Sequence, residues 1–468
     1  MRFLKSPSVA SGATLILALG LGVVVALLQQ GPIPLRAWLL HPIAAFELAQ
    51  GENPAPVTLL RPQVAPLSAM AQLGRLLFND PRFSSSGALS CASCHSPAHF
   101  YGPPGDAATV RGGPDLTRQG VRAVPSLMYL ESQPNFSIGP DAAGDNDAPV
   151  PLPQLAIQAS STTRTTKTAQ TTAQSAANLV PQGGLFWDGR AETLQQQAIG
   201  PMLNPLEIDA GSIARIAAKL RSAPYADRFA QLFGPRILND PALLVSEAMF
   251  AIARYQIEAE DFHPFTSKYD AWLEGRTRLT PAELRGYMLF NDPAKGDCAA
   301  CHLDQPGPDG TPPLFTDHQY EALGLPRNPK LLANADPAYF DEGLCGPYRS
   351  DLSSQTQFCG MFLTPTLRNA AARRVFFHNG VYHSLKEVLD FYDFRDTEPG
   401  RIYPKAADGK VRKYDDLPAR FHPNIDTADP PFDRHAGEPP ALDAAQELDI
   451  IAFLETLRDG FLPMQPQE

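Results

Sequence analysis

Apolar residues recur at helical spacing in several short stretches of this chain, separated by long runs rich in proline and glycine. Residues 213–220 and 242–258 carry amphipathic patterns, the second placing Leu243, Met249, Ile252 and Ala253 on one apolar face. Leu385, Val388, Leu389 and Tyr392 fall at i, i+3, i+4 and i+7, which turns Tyr392 toward the core. Residues 444–457 form a last amphipathic helix. Start signals agree: Thr280-Pro-Ala-Glu283 and Ser384-Leu-Lys-Glu387 are capping boxes, the first with proline at the first helical position. Asp188 is placed to cap a helix over about residues 189–199 that Gly200-Pro201 ends. The pattern predicts a mainly α fold of short helices, and 47 prolines among 468 residues predict long irregular connections between them.

Two regions depart from this pattern. Met1-Arg2-Phe3-Leu4-Lys5 is followed by an uncharged run from Ser6 to Gln30 with an apolar heart from Val9 to Leu28, long enough to span a bilayer. No prompt A-x-A site follows, so residues 1–30 read as an uncleaved anchor in preference to a removed signal peptide, with the remainder exported and tethered through Pro-rich residues 31–66. Within that tether the apolar patch from Leu35 to Leu48 fits either a membrane-lying segment or a plain connection. Residues 131–180, ending in a Ser/Thr/Gln-rich run, have little to bury and read as a flexible surface insertion.

The chemistry lies in a repeat. Cys91-Ala-Ser-Cys-His95 recurs as Cys298-Ala-Ala-Cys-His302, and Gly74-Arg-Leu-Leu-Phe-Asn-Asp-Pro81 upstream of the first recurs as Gly286-Tyr-Met-Leu-Phe-Asn-Asp-Pro293 upstream of the second. Two thiols three positions apart can add to the two vinyl groups of one porphyrin, with the next imidazole ligating its iron. A zinc site built from the two Cys pairs is the competing reading, and it leaves the repeated histidine without a role. The length suits two such units, residues 67–275 and 276–468, each a small helical domain around a covalent haem. The remaining cysteines, Cys345 and Cys359, lie close enough to form a disulfide in an oxidising compartment, worth on the order of 3 kcal/mol; two free thiols are the alternative. The formal charge of −11 opposes nucleic-acid binding and suits a cationic redox partner.

From about Leu67 to Leu457 the chain resembles the bacterial dihaem cytochrome c peroxidases and the related MauG enzymes. The resemblance rests on the two haem motifs, Phe186-Trp-Asp-Gly-Arg190, Gly200-Pro201 with Asn204-Pro-Leu-Glu207, Thr364-Pro-Thr-Leu-Arg-Asn369 and Phe377-His-Asn-Gly380, in family order. It implies a periplasmic enzyme in which hydrogen peroxide meets the haem on His95 while the haem on His302 passes electrons. Trp187 matches the relay tryptophan between the haems, and Gln197, Pro201 and Glu207 match the distal peroxide pocket. A carboxylate there can move the proton that peroxide cleavage requires. Without the resemblance, Glu207 reads as a helix-flanking surface residue, Gln197 as a solvated one and Trp187 as a core aromatic.

Three departures from the peroxidase pattern shape the expectation. Residues 111–125 contain no histidine to block the first haem, and His99 follows the proximal ligand too closely to reach its opposite face, so an open site is expected. The helix after the His-Asn-Gly turn puts Tyr392 where peroxidases have methionine and MauG has tyrosine. An anionic phenolate lowers the haem potential and helps store an oxidising equivalent. Met361 is the rival ligand and Met288 a weaker one. The calcium ion of the family is in question, because its positions are here Ala123, Arg373 and Val375. The resemblance implies a small cytochrome c or cupredoxin as donor, or a protein substrate if the chain acts as MauG does. Family members often form homodimers. A purely electron-carrying dihaem cytochrome is the rival from another class and requires both irons to be six-coordinate.

Overall fold

The computed structural model describes residues 42–140 and 179–462. The expected anchor at 1–30 and most of the 131–180 insertion lie outside them. The helices are α1 Pro42–Ala49, α2 Ala69–Phe78, α3 Cys91–Cys94, α4 Leu194–Leu203, α5 Ile213–Arg221, α6 Ala226–Phe233, α7 Pro241–Glu258, α8 Lys268–Leu273, α9 Pro281–Phe290, α10 Leu385–Thr397, α11 Pro399–Ile402 and α12 Ala444–Glu455. The three sheets among the described residues are two-stranded and antiparallel: β1 Arg111–Gly112 with β2 Arg118–Gln119, β3 Ser137–Pro140 with β4 Leu179–Gln182, and β5 Tyr320–Glu321 with β6 Phe362–Leu363. The fold is mainly helical. Among the described residues no helix is long and apolar enough to cross a membrane.

Two apolar cores organise the helices. One gathers Leu73, Leu77 and Phe78 of α2, Ile216 and Leu220 of α5, Phe229 of α6 and the inner face of α7. The other gathers Tyr269 and Trp272 of α8, Tyr287 and Phe290 of α9, and Ile450, Phe453 and Leu454 of α12. The sequence repeat acquires a physical meaning here. A Cβ on Gly74 would lie 1.8 Å from the Ala251 carbonyl oxygen, and one on Gly286 would lie 1.9 Å from that of Asp449. Each motif's glycine therefore lets its helix cross the closing helix of its core with the backbones in contact. Gly286→Ala is expected to cost roughly 1–3 kcal/mol through overpacking, read as a lower urea midpoint at unchanged slope; an unmoved midpoint would contradict the close crossing.

Several local expectations change. The helix expected over about 189–199 starts instead at Leu194, capped by the Thr193 hydroxyl, and runs through Gly200-Pro201 to Leu203. Proline is tolerated there because the preceding residue has no side chain to clash, and the Asn204 N–H closes the last turn on the Gly200 carbonyl at 3.0 Å. Asp188 caps nothing; it is fully buried between Arg122 and Arg190, 2.7 Å from each. Leu243 is 47% exposed, so the inner face of α7 runs through Leu244, Ala248, Met249 and Ile252 instead. Residues 137–140, expected to be part of a flexible insertion, pair in β3 with β4.

The tether belongs to the second core. Leu48 and Leu59 are buried in it, the Trp272 Nε1–H donates to the Gly51 carbonyl at 2.9 Å, and Val57 and Leu60 bond to the Leu273 and Gly310 carbonyls. Within the second core α8 is fixed by a buried bidentate pair, Arg368 with Asp270, at 3.0 and 2.7 Å. Burial alone would raise the Asp270 carboxyl, but the guanidinium charge overrides it and holds the carboxyl below its ordinary range.

Candidate active site

Each Cys-x-x-Cys-His turn is held by its own main chain. The His95 Nδ1 lies 3.1 Å from the Tyr101 carbonyl oxygen and the His302 Nδ1 lies 2.8 Å from that of Phe315. A carbonyl accepts only, so each Nδ1 carries the proton and each Nε2 keeps its lone pair for a metal. Burial pushes both imidazoles down to about 4, which keeps them neutral. Cys91, Cys94, Cys298 and Cys301 take no part in a disulfide. This donor set, duplicated, fits a covalent haem at each turn.

A cavity of about 500 Å³ opens beside the second turn, within the size range of cofactor pockets. Cys298, Cys301 and His302 line it together with Tyr392 of α10 and Trp187. The Tyr392 ring stacks on Phe432 with centroids 5.3 Å apart. Burial pushes its phenol above its ordinary value, so ionising it requires a cation in the cavity. No methionine lines this cavity among the described residues. Met361 packs against the buried Cys345–Cys359 cluster, and Met288 against the second core. The structure joins Cys345 and Cys359 by a disulfide.

The cavity at the first turn brings together residues far apart in sequence. Cys91, Cys94 and His95 line it with Gln197 and Pro201 of α4 and with Glu207 beyond. Four positions separate Gln197 from Pro201, so both fall on one helix face. After Leu203 the chain turns on Asn204, whose Oδ1 accepts from the Leu206 N–H at 3.0 Å and whose Nδ2 donates to Glu207 Oε1 at 2.6 Å. The cavity here is narrower than the second, about 50 Å³, and its donor set is the one that fits a haem. Burial pushes the Glu207 carboxyl up, while the Arg190 charge and the Asn204 hydrogen bond pull the other way. His99 is exposed and turned to the Ser96 hydroxyl, 3.1 Å away, and it does not line this cavity.

Trp187 connects the two halves. Its Nε1–H donates to the Ala123 carbonyl at 2.8 Å, and the Ala123 N–H donates to the His378 carbonyl at 2.7 Å. The His378 ring lies flat on Phe362, centroids 3.5 Å apart, on the wall of the larger cavity.

Around this junction lies a network that sequence reasoning missed. Arg122 is buried between Asp188 and Asp341, 2.7 Å from each, and Arg349 donates to the Asp188 carbonyl at 3.0 Å. Burial would raise the Asp341 carboxyl, but the Arg122 charge holds it below its usual range. Asp188 belongs to the Phe186–Arg190 motif, but Arg122 and Asp341 lie far from it in sequence and in no motif, so nothing local signals the pairing. At the positions matching the family's calcium ligands, the Arg373 guanidinium donates to the Val124 carbonyl at 2.8 Å and makes no ion pair with any described residue.

Comparison with known proteins bears on the whole arrangement. A family model described as di-haem cytochrome c peroxidase matches residues 68–278. The methylamine utilization protein MauG of Paracoccus denitrificans (strain Pd 1222) is 34% identical over 331 residues, 69% of this chain and 74% of that protein. The cytochrome c551 peroxidase of Nitrosomonas europaea is 28% identical over 351 residues, 74% of this chain and 78% of its own. Among solved structures, the diheme peroxidase BthA from Burkholderia thailandensis E264 matches with a TM-score of 0.69 at 33% identity, over 86% of this chain and 89% of that one. This chain therefore belongs to the di-haem cytochrome c peroxidase and MauG family, as an oxidoreductase that carries two c-type haems.

Proposed function

We propose that this protein reduces hydrogen peroxide to water, H2O2 + 2 e− + 2 H+ → 2 H2O, with electrons from a small cytochrome c or cupredoxin. The observation that carries the reading is that Glu207, Gln197 and Pro201 share one cavity with Cys91, Cys94 and His95. Cys91, Cys94 and His95 would hold one haem, and Cys298, Cys301, His302 and Tyr392 would hold the other. The bound haems supply an iron that takes peroxide and an iron that accepts and passes on electrons. Glu207 takes a proton from the inner peroxide oxygen and returns it to the outer one, with Asn204 fixing its carboxylate. Gln197 orients the substrate, and Pro201 narrows the pocket without adding a donor. Trp187 stands between the two units as the electron relay. In this assignment the peroxide unit is built on the first core, and the electron-transfer unit on the second, which takes in α8 and the Leu48–Leu59 segment, so the boundary expected at 275/276 moves to before α8.

The first test is stoichiometric peroxide added to the oxidised holoenzyme while absorbance and EPR are recorded, followed by turnover with reduced cytochrome c. Immediate loss of a high-spin ferric signal and rapid turnover are the expected result. A reaction that waits on prior reduction contradicts the open site; none in either state leaves an electron carrier. Tyr392 on the cavity wall, with no methionine beside it among the described residues, favours a second reading, in which oxidising equivalents act on a partner protein as in MauG. Slow turnover with cytochrome c despite a fast peroxide reaction would select it.

The protein is placed in the periplasm, tethered by residues 1–30, on the strength of that apolar run and two c-type haem motifs. Calcium has no part in this reading, because the Arg373 guanidinium already supplies a cation beside Val124. Exhaustive chelation of the holoenzyme is expected to leave haem spectra and peroxide rate unchanged; a loss restored by calcium alone would reverse this.

A further inference from the structure

A cation from the second half of the sequence reaches the first Cys-x-x-Cys-His turn. Ala370 lines the larger cavity, a single helical turn runs over Ala370–Ala372, and Arg373 leaves it toward the first unit. There it meets both stretches of chain that hold His95. Its Nη2–H donates to the Val124 carbonyl at 2.8 Å, and a Cβ on Gly102 would lie 3.1 Å from its Nη1. Gly102 follows Tyr101, whose carbonyl accepts from the His95 Nδ1–H at 3.1 Å and from the Leu127 N–H at 3.2 Å. The Ser126 hydroxyl ties the two stretches together by donating to the Phe100 carbonyl at 2.8 Å. The guanidinium is thus packed against the residue next to the one that orients the ligand.

The charge it brings is uncompensated. Arg122, Arg190 and Arg368 each meet a carboxylate at 2.7 Å, Asp188 serving the first two and Asp270 the third. Arg373 meets a carbonyl, and no carboxylate among the described residues pairs with it. Burial lowers its guanidinium to about 10, so it stays charged at neutral pH. A charge in such a setting is weakly screened. Ferric iron carries one positive charge more than ferrous iron, so a fixed cation beside its ligand disfavours the ferric form.

We propose that Arg373 is a positioning residue of the first haem site, acting through its charge: it raises the reduction potential of the haem held on His95. The proposal needs His95 as the ligand and no assumption about the substrate. With Tyr392 lowering the other potential, the difference would draw electrons toward His95, a consequence that does rest on the function proposed above.

The test is spectroelectrochemistry of the holoenzyme carrying Arg373→Gln or Arg373→Lys, with the two haems followed by their own absorbance and EPR signals. Glutamine keeps an N–H for the Val124 carbonyl and removes the charge; lysine keeps the charge. Arg373→Gln is expected to lower the ferrous-to-ferric ratio of the His95 haem at fixed potential by roughly 3- to 10-fold, which is about 30–60 mV for one electron. The His302 haem moves less, and Arg373→Lys stays near the parent. Arg373→Met is a second neutral variant with the same expected shift, should glutamine impair haem loading. A His95 haem unmoved in the neutral variants, an equal fall in the lysine variant, or an equal fall at both haems overturns the proposal. The predicted shift in a protein that never turns over peroxide would instead sink the function proposed above and leave this assignment standing.

Discussion

Replacing Glu207 by glutamine is expected to slow the reaction with hydrogen peroxide by about 100- to 1,000-fold, within the span of general acid–base catalysis. The substitution preserves size and an oxygen for the Asn204 amide, which donates at 2.6 Å to the native carboxylate, so the loss isolates proton transfer from packing. The pH dependence follows from the environment. Burial pushes the Glu207 carboxyl up, against Arg190 and Asn204, so it stays protonated to a higher pH than an exposed glutamate. The acting base is the carboxylate, present above that raised pKa. The parent rate therefore falls as pH is lowered through a range above the ordinary carboxylate one, and the glutamine variant lacks that limb. Stopped-flow rates across pH decide the matter: a limb that survives in Glu207→Gln belongs to another group.

Tyr392→Met is the second large expectation. Exchanging an anionic oxygen donor for a neutral thioether removes the preference for oxidised iron, and the potential of the His302 haem is expected to rise on the order of 0.2 V, given the range that axial ligands command. Tyr392 shares the 500 Å³ cavity with His302, whereas the Met361 side chain lies in the cluster around Cys345 and Cys359. Spectroelectrochemistry of Tyr392→Met beside Met361→Leu separates the candidates. A shift in the second variant and none in the first would hand the iron to Met361.

What could be read from the residues divides along physical lines. Helices with strong local signals stand where they were expected: the capping boxes at Thr280 and Ser384 open α9 and α10, and the period through Leu385, Val388 and Tyr392 sets the face that meets the cavity. The start of α4 was misread because Asp188 looks like a cap in sequence, and only the buried Arg122, from a distant loop, shows where its charge is needed. Leu243 was misjudged because the apolar stripe of α7 is wider than its contact with the rest of the core. At the site, Glu207, Gln197 and Trp187 were named by the family resemblance and not by local pattern; the first two line the smaller cavity and Trp187 the larger. The buried meeting of Arg122 with Asp188 and Asp341 escaped because the three lie far apart along the chain, and no periodicity encodes such a reach.

The junction at Ala123 has a consequence for divergence. The indole of Trp187 and the carbonyl of His378 are joined through the peptide groups of residue 123, so the bridge is built of main-chain atoms. Ala123 is buried, so exchange for a side chain that fits the same space leaves such a bridge standing, whereas proline breaks it by removing the N–H. The hydrogen-bonded contact between Trp187 and His378 is thereby independent of which side chain residue 123 carries, and variation there among relatives would carry no information about whether the contact is kept.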